Sequence, residues 1–161
     1  MQPPYSADRH LQGKGLEKIY PSPTRTAAII LKSTLNVIDN SCARLVECVN
    51  VFKNKRWASV GDEIVVVVKK ARPVSALGAT QSSAASNIGK VKKGDVSRAI
   101  VVRTRKEIRR QDGTNCRFDD NAAVLINKQG QPVGNRILGV MAADVRAKGH
   151  TKLAALAPKL Q

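Results

Sequence analysis

Branched aliphatic residues fall in five short runs along the chain, and residues that favour turns close each run. Leu35-Asn36-Val37-Ile38 comes first and stops at Asp39-Asn40-Ser41, whose side chains bond their own backbone and bend it. Ala43 to Phe52 alternates loosely, with Val46, Val49 and Val51 set around Glu47 and Asn50, the period of a strand with one buried face. A basic turn, Lys53-Asn54-Lys55-Arg56, ends it. Val60-Gly61-Asp62 then leads into Glu63-Ile64-Val65-Val66-Val67-Val68-Lys69-Lys70, a β-branched run too short for a helix and closed by Pro73. Lys90-Val91-Lys92-Lys93-Gly94-Asp95 opens a fourth strand, Val96 to Val102, and Ala122 to Ile126 is the fifth. Five strands of this length predict a small closed barrel.

Between the last two strands the chain reads Arg103-Thr104-Arg105-Lys106-Glu107-Ile108-Arg109-Arg110, then Asp112-Gly113, then Arg117-Phe118. This predicts a basic β-ribbon. Asp-Gly supplies the positive φ angles of a tight hairpin, so both arms return antiparallel with their arginines in solvent. Beyond turns at Gly130, Pro132 and Gly134, Ala142 to Lys148 and Thr151 to Ala157 are rich in Ala, Leu, Lys and Val. They predict two short helices, broken at Gly149-His150. The fold class is therefore mainly β, a small five-stranded β-barrel with a projecting β-ribbon hairpin and two short C-terminal α-helices.

Two segments carry no such pattern. Residues 1–30 hold Pro3-Pro4, Pro21-Ser22-Pro23 and scattered charge, and are expected to be an extension that targets the chain or wraps a partner. Arg9, Lys14, Lys18 and Arg25 suit an import segment, whereas Asp8 and Glu17 do not, and a secretory apolar region is missing. The domain then runs over 31–161, with a Ser/Ala-rich loop insertion at 74–89 and its helices at about 142–157.

Charge narrows the partner. Lys and Arg total 28 against 12 Asp and Glu, a formal charge of +16, which self-repels unless an anion is nearby. Nucleic acid is the expected partner. No stretch approaches the roughly 20 apolar residues of a spanning helix, so no membrane is expected. Cys42, Cys48 and Cys116 match neither a zinc site nor a small disulfide framework and are read as reduced thiols of the cytosol or an organelle matrix. The even separation of Cys42 and Cys48 places both as small buried side chains of one strand.

Catalytic patterns fail in turn. Gly78 to Lys90 lacks the spacing of a phosphate loop and no Ser or Thr follows Lys90. Asp119 and Asp120, if adjacent on a strand, point to opposite faces and cannot share a proton or a metal; they are expected to answer nearby arginines or shape the turn. His10 and His150 are the only histidines, and His10 lies in the extension. No reaction, cofactor or metal is expected.

Rings are also few. Tyr5 and Tyr20 lie in the extension, Phe52 and Trp57 flank a turn and Phe118 ends the ribbon, too little for a base-stacking platform on the barrel. That leaves grip by shape on the phosphates and 2′-hydroxyls of folded RNA. Nine cations, Lys90, Lys92, Lys93, Arg98, Arg103, Arg105, Lys106, Arg109 and Arg110, lie between Ser86 and Arg110 against only Asp95 and Glu107, and read as one anion-binding surface. Arg117 on the returning arm, Arg44 and the turn residues Lys53, Lys55 and Arg56 complete the candidate set, although such a turn alone is more often merely solvated.

The ribbon also carries a resemblance. Ala99 with three branched aliphatics, nine residues to Asp112-Gly113, four to Phe118, two to Asn121 and two to Val124-Leu125 is a specific pattern. Leu35 to Ser41, Val60-Gly61-Asp62, Lys92-Lys93-Gly94-Asp95, Pro132-Val133-Gly134-Asn135-Arg136 and Leu156-Ala157-Pro158 accompany it. From Leu35 to Leu160, with one interruption, the chain resembles the family of large-subunit ribosomal protein fourteen. That resemblance implies a structural component bound to large-subunit rRNA at the face meeting the small subunit, and a bridge to small-subunit rRNA. It further implies contacts with the neighbouring ribosomal proteins numbered three and nineteen, and, at Asn135, Arg136 and Arg146, a subunit-interface surface or a dock for the ribosome-silencing factor. Cys42 stands where the family usually has Gly, and Asn135 where Thr is common. The extension and the insertion are atypical of compact bacterial members and point to a mitochondrial, fungal-type form in the matrix, with a cytoplasmic ribosome as the alternative. The rival functional reading is a free-standing RNA chaperone or transport factor on the same barrel, and hydrolysis by Asp119 and Asp120 is a distant third.

Overall fold

The computed structural model describes residues 29–53, 56–72 and 91–161, so the extension up to residue 28, the insertion at 74–89, Lys55 and Lys90 lie outside the described residues. Each aliphatic run is a strand: β1 (Thr34–Val37), β2 (Ala43–Val51), β3 (Glu63–Ala71) and β4 (Val96–Arg103). The ribbon inserts two short strands, β5 (Ile108–Arg109) and β6 (Asn115–Cys116), before β7 (Ala122–Ile126). Strands β1, β2, β3, β4 and β7 close into the expected barrel in that order. Neighbours run antiparallel except at the closing seam, where β1 lies parallel to β7 with Asn36 opposite Ala122. Closure leaves these strands no free edge. Bulges in β2, at Ala43/Leu45, Leu45/Val46 and Cys48/Asn50, bend this long strand around the small circumference.

The interior follows the period of two in β3, where Ile64, Val66 and Val68 are buried between half-covered Val65 and Val67. β4 and β7 break that rule, because Ala99 to Val102 and all of β7 are buried. Here the C-terminal segment packs against the barrel: Ala142 donates its N–H to the Val102 carbonyl at 3.3 Å, and Met141, Val145 and Leu153 are buried. That segment holds α1 (Asp144–Ala147) and α2 (Thr151–Leu156), shorter than expected but broken at Gly149-His150 as the sequence indicates. It is closed by a parallel pair, β8 (Val140–Met141) with β9 (Lys159–Leu160), too short for any periodicity to reveal.

Three local expectations need correction. Ile29, counted with the extension, is fully buried and exchanges backbone hydrogen bonds of 2.9 and 2.7 Å with Ala58, so packing begins by residue 29. Cys42 is not on a strand: it is a half-buried bend residue with φ +77°, whereas Cys48 is buried in β2. The Asp39 carboxylate accepts from both the N–H and the hydroxyl of Ser41, which prolongs the turn by the residue that the even spacing counts as strand. Asp119 and Asp120 likewise lie in a bend, not on a strand.

Candidate nucleic-acid interface

The finger is a hairpin with a stitched root. Buried Thr104 gives its hydroxyl to the Lys106 carbonyl at 2.9 Å and takes the Phe118 N–H on its own carbonyl at 3.0 Å. Arg105 donates its N–H to the Asn121 amide oxygen at 2.9 Å and its Nε to the Asp119 carbonyl at 2.7 Å. At the tip, Arg110 N–H meets the Thr114 carbonyl at 2.8 Å and Gly113 N–H meets the Arg110 carbonyl at 3.1 Å. Only Gly113 has a positive φ, +84°, and Asp112 has not, because the loop is a three-residue turn closed by a left-handed glycine and not the expected two-residue one. The Asp112 carboxylate accepts from the hydroxyl and the N–H of Thr114, which holds its proton affinity below the usual range and braces the turn.

From this arm Arg105, Lys106, Arg109 and Arg117 stand exposed. Three other arginines of the candidate set do not reach freely into solvent. Arg110 turns back onto α1, with its Nε and Nη2 at 3.2 and 3.0 Å from Asp144 Oδ2 and Nη2 at 2.7 Å from the Gln161 backbone oxygen. Hydrogen bonding to Asp144 raises its already high pKa. Arg103 is paired with Asp120 at 3.1 Å, its side chain only 17% exposed. Arg98 lies over the Phe52 ring, 4.9 Å from the centroid, and is paired with Glu63 at 3.3 Å. The expectation that every ribbon arginine stays in solvent is therefore corrected: carboxylates far along the chain capture some of them.

Nor do the cations from Lys92 to Arg110 make one continuous surface. β4 runs between them, and eight extended residues carry the chain roughly 25 Å. Lys92 and Lys93 stay exposed at the end of the barrel where β2 begins and β3 ends. Arg44 joins them there, together with exposed Lys70 and Arg72, which no motif in the sequence singles out; Leu45 pairs with Lys70 in the β2–β3 ladder. The finger, Lys53 and Arg56 occupy the opposite end, and these last two are exposed at the β2–β3 connection.

The Asn135-Arg136 loop is fastened by the first turn. Asn40 donates its amide N–H to Asn135 Oδ1 and accepts the Arg136 N–H at 3.3 Å, and a Cβ at Gly134 would come within 2.6 Å of Asn40 Oδ1. Asn135 and Arg136 are exposed, as is Arg146 on α1.

Lys148 lies outside the candidate set, yet it holds two parts of the fold together. Its ammonium donates to Ser59 Oγ at 3.0 Å, the Val60 carbonyl at 2.6 Å and Asp62 Oδ1 at 3.0 Å, locking the helices onto the β2–β3 connection. No local pattern signals this, since its partners lie more than 80 residues earlier. Burial pushes the thiols of Cys48 and Cys116 up. Among the described residues no group of three His, Cys, Asp or Glu side chains is placed to hold a metal, and no helix is long and apolar enough to cross a membrane.

Comparison with known proteins agrees with this architecture. Residues 28–161 match the family model described as Ribosomal protein L14p/L23e. Large ribosomal subunit protein uL14m of Schizosaccharomyces pombe is 53% identical over 129 residues, 80% of this chain and 96% of that protein. Its counterpart of the same name in Neurospora crassa is 53% identical over 130 residues, 81% of this chain and 97% of that protein. With barrel, finger and C-terminal helices all inside the matched region, this chain belongs to the ribosomal protein L14p/L23e family.

Proposed function

We propose that this chain is a structural constituent of the mitochondrial large ribosomal subunit that grips large-subunit rRNA with its finger. It carries out no reaction of its own, as befits a family of structural ribosomal proteins. The two fungal relatives named above are large-subunit proteins of the uL14m type, which supports the mitochondrial placement. The observation that carries RNA binding is the exposure of Arg105, Lys106, Arg109 and Arg117 on an arm whose root is stitched to the barrel. A rigid arm presents cations to a phosphate backbone without first having to be ordered.

At the finer level, the finger faces rRNA at the subunit interface and the molecule takes part in a bridge to small-subunit rRNA, beside the ribosomal proteins numbered three and nineteen. The Asn135-Arg136 loop with Arg146 is the dock for the silencing factor. Fastening of that loop by Asn40 and the exposure of all three side chains support this assignment.

Replacing Arg105, Lys106, Arg109 and Arg117 together by Glu is expected to move the full-length chain from the large-subunit fraction to the top of a mitochondrial gradient. Unchanged co-sedimentation overturns the assignment. An unaltered chain found mainly near the top would instead indicate a free RNA chaperone.

A further inference from the structure

Between the finger and the β2–β3 connection the structure leaves a groove of about 880 Å³. Sites for small ligands span about 300–1,000 Å³. Phe52 and Trp57 line it from the connection, Ile108 and Arg109 from the finger, and Ala147 and His150 from the helical segment. Three of its carboxylates are already matched: Asp62 by Lys148 at 3.0 Å, Glu63 by Arg98 at 3.3 Å and Asp144 by Arg110 at 3.0 Å. The fourth, Asp112, is engaged by Thr114 at the fingertip. Lys53 and Arg109 also line the groove, both exposed, and among the described residues neither has a carboxylate partner. Because the bonds from Thr114 keep Asp112 ionised, the surplus, with Arg98 counted beside its partner Glu63, is a single positive charge next to a half-buried indole.

We infer that this groove seats one unpaired nucleotide of RNA, its base stacked on Trp57 and its phosphate held by Lys53 and Arg109. The inference rests on the proposed RNA-binding role and adds to it a base-contacting site that a grip by shape does not need. Flat ring and flanking cations are what a single-stranded nucleotide requires, since stacking accepts any base and the phosphate needs only a positive field. A polypeptide occupant is less well matched, because the exposed Lys53 and Arg109 of the lining flank the ring with cations that suit an anion.

Trp57 is the only tryptophan of the chain, so its fluorescence reports on this groove alone. Titrating the full chain with single-stranded oligoadenylate should quench that emission, whereas heparin, a polyanion without bases, should bind and leave it near its starting level. Trp57→Phe should keep the affinity for oligoadenylate within about twofold and Trp57→Ala should weaken it about tenfold. Oligoadenylate that binds without quenching, as seen by gel shift, overturns the nucleotide seat and leaves RNA binding intact. Failure to bind oligoadenylate or rRNA at all overturns both readings. In the assembled large subunit, a photo-crosslinker replacing Gln111, which also lines the groove, should join RNA. Crosslinks to protein alone would assign the groove to a protein neighbour and overturn the inference.

Discussion

Cys42 occupies left-handed backbone, φ +77°. An L side chain there costs roughly 1–2 kcal/mol. Glycine removes that cost but loses about 0.5–1 kcal/mol through the freedom it adds to the unfolded chain. Cys42→Gly is therefore expected to raise stability by about 1 kcal/mol or slightly less, read as a higher urea midpoint with an unchanged slope. Three residues earlier, burial pushes the Asp39 carboxyl above its ordinary 3.8, although donors from Ser41 and the Leu125 N–H pull the other way. A raised carboxyl lends stability that is whole below 3.8 and is lost as pH rises through the folded value. The stability difference between the native chain and Asp39→Asn should thus be most in the native chain's favour at acid pH and shrink as pH rises through that window. A pH series of urea titrations checks it, and a constant difference would contradict burial as the dominant influence.

The finger is tied to α1 by Arg110, the residue that turns back onto it. Both partners of the Arg110–Asp144 pair are about three-quarters covered, with 25% and 22% of their side-chain surfaces exposed. The contact is a charge-assisted fork, less screened than an open surface pair. A double-mutant cycle on Arg110→Ala and Asp144→Ala should return a coupling of about 1–2 kcal/mol. Amide exchange at Ile108 and Cys116, which pair across the hairpin, should quicken in either single variant while the barrel strands keep their protection. Loss of protection across the barrel as well would show that the pair supports the whole fold and not the finger alone. This element was half legible: Asp112-Gly113 marked the hairpin, but nothing near Arg110 in the chain distinguishes it from exposed Arg109.

Over the molecule as a whole, cations gather at two opposite ends of the barrel, separated by the length of β4, roughly 25 Å. That distance exceeds the Debye length of about 8 Å at physiological salt. The two groups should therefore act independently on a long RNA. Reversing Arg44, Lys92 and Lys93, or reversing Arg105, Arg109 and Arg117, should each flatten the plot of log affinity against log salt, by about 0.7–0.9 for every phosphate that is no longer neutralised. Combining both sets should sum the two changes, and filter binding across a salt series measures this. A marked departure from the sum would mean that the ends grip one compact site.

The amino-acid order alone determined the five barrel strands, the hairpin between the last two and the break between the helices. Each follows from alternation and turn chemistry acting over a few neighbouring residues. Tertiary structure decided which cations are free. Arg98 meets Glu63 across 35 positions, Arg110 meets Asp144 across 34 and Lys148 meets Asp62 across 86. Whether a guanidinium faces water or a carboxylate depends on what closure of the barrel brings beside it, and no local pattern contains that partner.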